Sequence, residues 1–162
     1  MPESSEEAAR PSFNRLLDHR EGVFRICLGF CRSYQEAEDL AQDVFVKAYQ
    51  SLGTLERADR ARLWLYRIAK NAGLDHLKTA RRRGELLRIW AGESLRAAKE
   101  RPAPAEQPDE RLAGLKAAVG RLPSRFREVF VLREYGHLSY EEIANTLGIG
   151  TGTVTSRLAR SR

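Results

Sequence analysis

Pro102, Pro104 and Pro108 fall within seven residues of one another, and no other feature limits the fold of this chain so sharply. Proline fixes φ and lacks a backbone N–H, so neither a helix nor a central strand can run through such a stretch. An extended spacer is expected there. The 162 residues must therefore build their structure on either side of it, and neither side is long enough for a large core. The expected division is a loose tail at 1–12, a folded unit at 13–84, a linker at 85–108 and a second folded unit at 109–162.

The first unit reads as helices. Phe13, Leu16, Leu17, Val23, Phe24, Cys27, Leu28 and Cys31 follow helical spacing from Ser12 to about Arg32,. A second pattern runs from Ala37 to Leu52, with Leu40, Ala41, Val44, Phe45, Ala48 and Tyr49 on its apolar face,. Ser33 and Glu36 have the spacing of a capping box. Glu36, Asp39 and Asp43 form an acidic stripe beside the apolar face, with Glu38 and Gln42 next to it. After a loop containing Gly53 and Thr54 comes a long basic helix, expected over 59–83 and closed by Gly84, with an extension through Leu86, Leu87, Ile89 and Trp90 left open. Between Arg57 and Arg83 there are nine Lys or Arg against two Asp. Arg60, Trp64, Arg67, Asn71 and Lys78 recur along one line of it. Cations with an aromatic and an amide among them suit a nucleic-acid strand, although a solvated face with Trp64 half in the core has the same pattern.

In the second unit Asp109 is expected to cap a short helix with Leu112, Leu115, Ala118 and Val119 inward. Pro123 opens the next, with Phe126, Val129, Phe130 and Leu132 as core, and Gly136 closes it,. Ser139 and Glu142 form a second capping box before Ile143, Ala144 and Leu147. Gly148 and Ile149 then make a tight turn into a last helix that starts near Thr151 and presents Thr153, Thr155, Ser156, Arg157 and Arg160 outward. A short helix, a glycine turn and a second helix rich in hydroxyls and guanidinium groups is a helix-turn-helix suited to major-groove edges and phosphates. The fold expected is all-α: two small helical domains joined by a Pro-rich linker, the second containing the helix-turn-helix.

Other chemistries find little support. His19, His76 and His137 are isolated, and there is no phosphate-cradling glycine loop and no nucleophile beside a base. Cys27 and Cys31, four apart on one expected helix, lack further ligands at useful spacing, so no metal and no cofactor is expected,. The net charge of +6 favours a polyanionic partner,. No apolar run approaches the ~18 residues that cross a bilayer, and the acidic start is unlike a signal peptide. The cytoplasm is the expected compartment, and no enzyme is expected.

Three segments carry a resemblance. Ala37-Glu-Asp-Leu-Ala-Gln-Asp-Val-Phe45, Trp64-Leu-Tyr-Arg-Ile-Ala-Lys-Asn71, and Leu138-Ser-Tyr-Glu-Glu-Ile-Ala144 with Gly152-Thr-Val-Thr-Ser-Arg-Leu158 resemble bacterial RNA polymerase sigma factors of the extracytoplasmic-function (ECF) group. The resemblance covers about residues 13–84 and 109–162. It implies that the chain binds core RNA polymerase through Glu36, Asp39, Leu40, Gln42, Asp43 and Phe45. It implies that a loop at 53–59 takes a flipped base of the melted −10 strand. Arg60, Trp64, Arg67, Lys70, Asn71, Lys78, Arg81 and Arg82 would hold that strand. For the duplex −35 element it implies Thr155, Ser156, Ala159 and Arg160 at base-reading places and Thr151, Thr153 and Arg157 on phosphates. An anti-sigma protein covering the polymerase-binding faces is a further implied partner. The chain departs from the pattern in two ways: it stops at Arg162, where the family's last helix continues, and Ala159 offers no side chain for reading a base. Read from the residues alone, a stand-alone helix-turn-helix regulator stays open as the alternative. So does a helical RNA-binding adaptor.

Overall fold

A computed structural model describes residues 12–90 and 110–162, the side chains of 86–90 and 110–113 excepted. Most of the expected tail, the proline spacer and the Asp109 cap lie outside the described residues. Among those residues there are eight helices and no strand. They are α1 (Phe13–Leu17), α2 (Arg20–Leu28), α3 (Tyr34–Gln50), α4 (Ala61–Trp90), α5 (Glu110–Arg121), α6 (Ser124–Glu134), α7 (Tyr140–Leu147) and α8 (Thr151–Ser161).

α2, α3 and α4 pack on one another to form the first half. Val23, Ile26, Ala37, Val44, Ala48, Leu65 and Ala69 are fully buried between them. The single helix expected over 12–32 is broken at Asp18 and His19. The break lets Phe13 turn onto α3, where its ring meets Phe45 and Tyr49 edge to face at 6.4 and 5.4 Å. Ser33 caps α3 as expected, its hydroxyl accepting from the Glu36 N–H at 3.1 Å. The Glu36 carboxylate accepts from the N–H of Arg32 at 3.0 Å rather than from Ser33 itself. Gly84 does not end the basic helix, which takes the extension to Trp90 that the sequence left open. A helix-interior glycine costs only about 1 kcal/mol relative to alanine, too little to stop a helix whose neighbours favour it.

In the second half α6 and α7 both pack on α8, with Val129, Leu132, Ile143, Val154 and Leu158 at the centre. The Ser139–Glu142 capping box is complete, with N–H···O distances of 2.8 and 3.1 Å. Gly148 takes the left-handed conformation (φ 66°) that sets the turn of the helix-turn-helix,. α5 reaches the rest through its last turn. There Val119 is buried and the Arg127 guanidinium donates to the carbonyls of Val119 (2.8 Å) and Gly120. Leu115 and Ala118, expected inward, are exposed, because only that last turn of α5 is covered.

The halves do not stand apart: their buried residues form one continuous cluster. Val131, a position not expected in the core, is fully buried and faces Gly29 at the end of α2. A Cβ on Gly29 would lie 2.6 and 2.7 Å from the two Val131 methyls, so only glycine admits this approach. Arg25 Nε donates to the Tyr135 carbonyl at 3.2 Å across the same seam.

Candidate nucleic-acid interface

α3 presents its acidic stripe to solvent through Asp39, Gln42 and Asp43. Val46 and Tyr49 extend that surface with exposed apolar area, 56% and 66% accessible. The sequence pattern missed both, because their spacing alone assigns them to the core or says nothing of them. Leu40 is 7% exposed and belongs to the core, and Phe45 is half-buried against Phe13. Glu36 turns away from the stripe, towards His76 of α4, with His76 Nε2 at 3.6 Å from its carboxylate.

The basic helix divides into two stretches. Asn71, Lys78, Arg81 and Arg82 lie exposed, as does Arg60 in the short 3₁₀ turn before α4. Lys78 and Arg81 make only local pairs, with Asp75 at 4.0 Å and Glu85 at 3.3 Å. Trp64 is half-buried and packs on the core. Three further cations, Arg62, Arg67 and Lys70, turn to the second half. Arg67 donates to the carbonyls of Thr146 (3.1 Å) and Asn145 (3.0 Å) at the end of α7. It satisfies carbonyls that the last turn of a helix leaves unpaired. Arg62 pairs with Glu142 in the first turn of α7. Lys70 stands 3.9 Å from Glu128, and its ammonium is held below the usual lysine range, chiefly by burial, with Glu128 opposing. Arg67, Lys70 and Asn71 share a recess with Thr146, Leu147 and Gly148. The expected line of strand-binding groups is thus exposed for much of its length, with Arg67 and Lys70 in its middle already engaged by α7 and Glu128.

α8 displays Thr151, Thr153, Thr155, Ser156, Ala159 and Arg160 to solvent. The hydroxyls of Thr155 and Ser156 rest on the helix's own carbonyls, at 3.0 Å from Thr151 and 3.1 Å from Thr153. Bonds of this kind are exchangeable for a base edge. Arg157 points the other way and meets Glu128 at 3.1 Å, half-buried. Glu128 therefore serves one cation from each basic surface.

Cys27 and Cys31 are buried in the core, as small hydrophobes are expected to be, and a group around one of them fell outside the sequence expectation. Burial pushes the Cys27 and Cys31 thiols up to about 12, each helped by a neighbouring anion-forming group, Cys31 for Cys27 and Glu36 for Cys31. Neither is a reactive thiolate at neutral pH. The fold nevertheless gathers Cys31, Glu36 and His76, whose ligand atoms all lie within 4.8 Å of one another. Forty residues separate Glu36 from His76 in the chain, so no local spacing could have signalled it.

Comparison with known proteins gives a consistent picture. Residues 16–83 match the model of sigma-70 region 2, and residues 112–162 match that of sigma-70 region 4. The RNA polymerase sigma-H factor of Pseudomonas aeruginosa is 34% identical over 154 residues, covering 91% of this chain and 80% of that protein. The ECF RNA polymerase sigma factor SigE of Mycolicibacterium smegmatis is 38% identical, over 98% of this chain and 62% of its own length. Among solved structures, the sigma factor RpoE in complex with the anti-sigma factor NepR, from Bartonella quintana, superposes with a TM-score of 0.66. It is 27% identical, over 92% of this chain and 90% of that one. CnrH in complex with the cytosolic domain of CnrY gives 0.65 at 25% identity, over 98% and 85%.

Proposed function

Because the chain belongs to the sigma-70 family, in its ECF group, we propose a division of labour among the surfaces just described. As a sigma factor it binds core RNA polymerase and directs it to promoters. Residues 13–84 serve as region 2 and 109–162 as region 4. Asp39, Gln42 and Asp43 on α3, with Phe45, Val46 and Tyr49 as apolar neighbours, dock on the polymerase. Glu36 and Leu40 support that face from behind, since one turns to His76 and the other is core.

The −10 strand runs along α4 over Arg60, Trp64, Arg67, Asn71, Lys78, Arg81 and Arg82, with Lys70 beside them and a flipped base held by the loop at 53–59. Extruding a base costs a few kcal/mol, so several phosphate contacts and a firm pocket act together in melting. α8 reads the −35 duplex through Thr155, Ser156 and Arg160. Ala159 contributes a methyl contact, and Thr151 and Thr153 meet phosphates. Lys70 and Arg157 reach DNA only when the halves part, since each is engaged inside the closed chain, and Arg67, though exposed, must first release its bonds to the end of α7. An anti-sigma partner, as NepR is for RpoE, covers the α3 face. The chain works in the cytoplasm beside the polymerase and has no catalytic role of its own. No helix among the described residues is long and apolar enough to cross a membrane.

One observation carries this reading: an acidic docking helix, a basic helix and a helix-turn-helix occur in one chain, in the order of regions 2 and 4. The test is run-off transcription by purified core polymerase on a pool of promoter fragments, with and without the chain. New transcripts with defined starts are expected. Duplex binding without any transcript would favour a stand-alone regulator.

A further inference from the structure

We propose that Cys31, Glu36 and His76 form a binding site for a borderline divalent transition metal, of which Zn²⁺ is the type. The three residues come from separate places: the turn after α2, the first turn of α3 and the middle of α4. One thiol, one carboxylate and one imidazole make a mixed S, O, N set. Such a set suits Zn²⁺, Co²⁺ or Ni²⁺ and is unsuited to Mg²⁺ or Ca²⁺, which take oxygen alone.

The geometry is close to what coordination needs. Metal–nitrogen and metal–oxygen bonds near 2.0 Å and a metal–sulfur bond near 2.3 Å put tetrahedral ligand atoms roughly 3.5 Å apart. His76 Nε2 already stands 3.6 Å from Glu36 Oε2, and no pair of ligand atoms exceeds 4.8 Å. Closing the triad around an ion needs a contraction of about an ångström. The carboxylate is also oriented in advance, by the Arg32 N–H at 3.0 Å, the supporting hydrogen bond that a ligating carboxylate ordinarily has.

A simpler account makes Glu36 a helix cap that pairs with His76. It explains two of the three residues and asks nothing of Cys31, where any small apolar side chain would serve. The thiol's place beside that pair is what the metal reading explains. Cys31 is 7% exposed while Glu36 and His76 reach the surface, so the site is walled on its sulfur side and open on the other. Three protein ligands with one open position leave room for water or an exogenous ligand. Cys31 also lines a cleft of ≈ 340 Å³ between the halves.

The experiment titrates Co²⁺ into the reduced full-length chain and then displaces it with Zn²⁺. One Co²⁺ per chain is expected, with a near-ultraviolet thiolate-to-cobalt charge-transfer band that Zn²⁺ abolishes. Cys27→Ser keeps the band. Cys31→Ser removes it, and His76→Gln weakens binding by at least the ~10-fold that even outer-shell losses produce. Absence of the band in the unaltered chain at excess Co²⁺ overturns the site without reference to any variant. A band that survives Cys31→Ser overturns it equally, because the sulfur is then another's.

Discussion

Replacing Gly29 by alanine separates the two halves of this sigma factor and frees Arg67 and Lys70, two of the cations proposed to hold the −10 strand. The added Cβ would sit 2.6 and 2.7 Å from the Val131 methyls, whereas carbon atoms rest at ~3.5–4.0 Å. Gly29 itself has φ −68° and ψ −15°, which alanine adopts freely, so the first half keeps its own fold. Relief must come from the seam, by a displacement of roughly 1 Å. Overpacking of this kind costs about 1–3 kcal/mol. At ~1.4 kcal/mol for each factor of ten, the closed state loses about 5- to 150-fold in population relative to the open one. Affinity for single-stranded DNA rises by up to the same factor, because Arg67 and Lys70 no longer cap α7 or pair with Glu128. Fluorescence anisotropy on a labelled single-stranded −10 oligonucleotide measures the gain, and small-angle scattering follows the opening. Val131→Ala in the same chain removes the colliding methyls and restores closure. If Gly29→Ala leaves scattering and affinity as they were, the seam does not govern access to α4 and the reasoning fails.

Other expectations follow from single features. Asp39→Lys with Asp43→Lys abolishes binding to core polymerase in a pull-down while leaving circular dichroism unchanged, since both side chains are exposed. Arg160→Ala weakens binding to the correct −35 duplex by ~1–3 kcal/mol; equal loss on scrambled duplex in a gel-shift titration would reassign the residue to phosphate contact. Ser139→Ala removes the α7 cap and lowers stability to urea by about 0.5–2 kcal/mol, measured as a shift of the unfolding midpoint. The Cys27 thiol is raised by burial from 9.0 to about 12 in the folded chain, so the native state disfavours the thiolate. Its contribution to stability is full below pH 9 and is lost as the pH rises towards 12. Unfolding in urea at pH 8 and pH 10.5, with Cys27→Ala as reference, checks the sign.

Much of the fold could be read from residues because each helix declared one face. α3 and α7 did so through their caps and spacing, and the capping box at Ser139 forms as the sequence prescribes. α6 was harder. A helix covered on two sides has no single apolar stripe, so Val131 gave no sign that it would meet Gly29. The site divides the same way. Exposure of Thr155, Ser156 and Arg160 follows from helix phase. The inward turn of Arg157 depends on Glu128, and that of Arg67 on free carbonyls at the end of α7. Such partners lie 29 and 78 or more residues away along the chain, and no local pattern encodes them. Glu36 belonged to an acidic stripe by spacing, but its side chain answers to His76.

The ion pairs of the seam bear on how promoter binding answers to salt. DNA binding ordinarily loses affinity as salt rises, because each neutralised phosphate sets counterions free. Here Lys70 and Arg157, both proposed to meet DNA, share Glu128 before any DNA arrives. Binding exchanges an internal anion for a phosphate at these places, and the salt that weakens the new contact also loosens the old one. The dependence of promoter affinity on ionic strength is then shallower than a count of basic residues implies. Part of this chain's positive charge is already spoken for in the free protein, which makes the factor less apt to linger on non-promoter DNA.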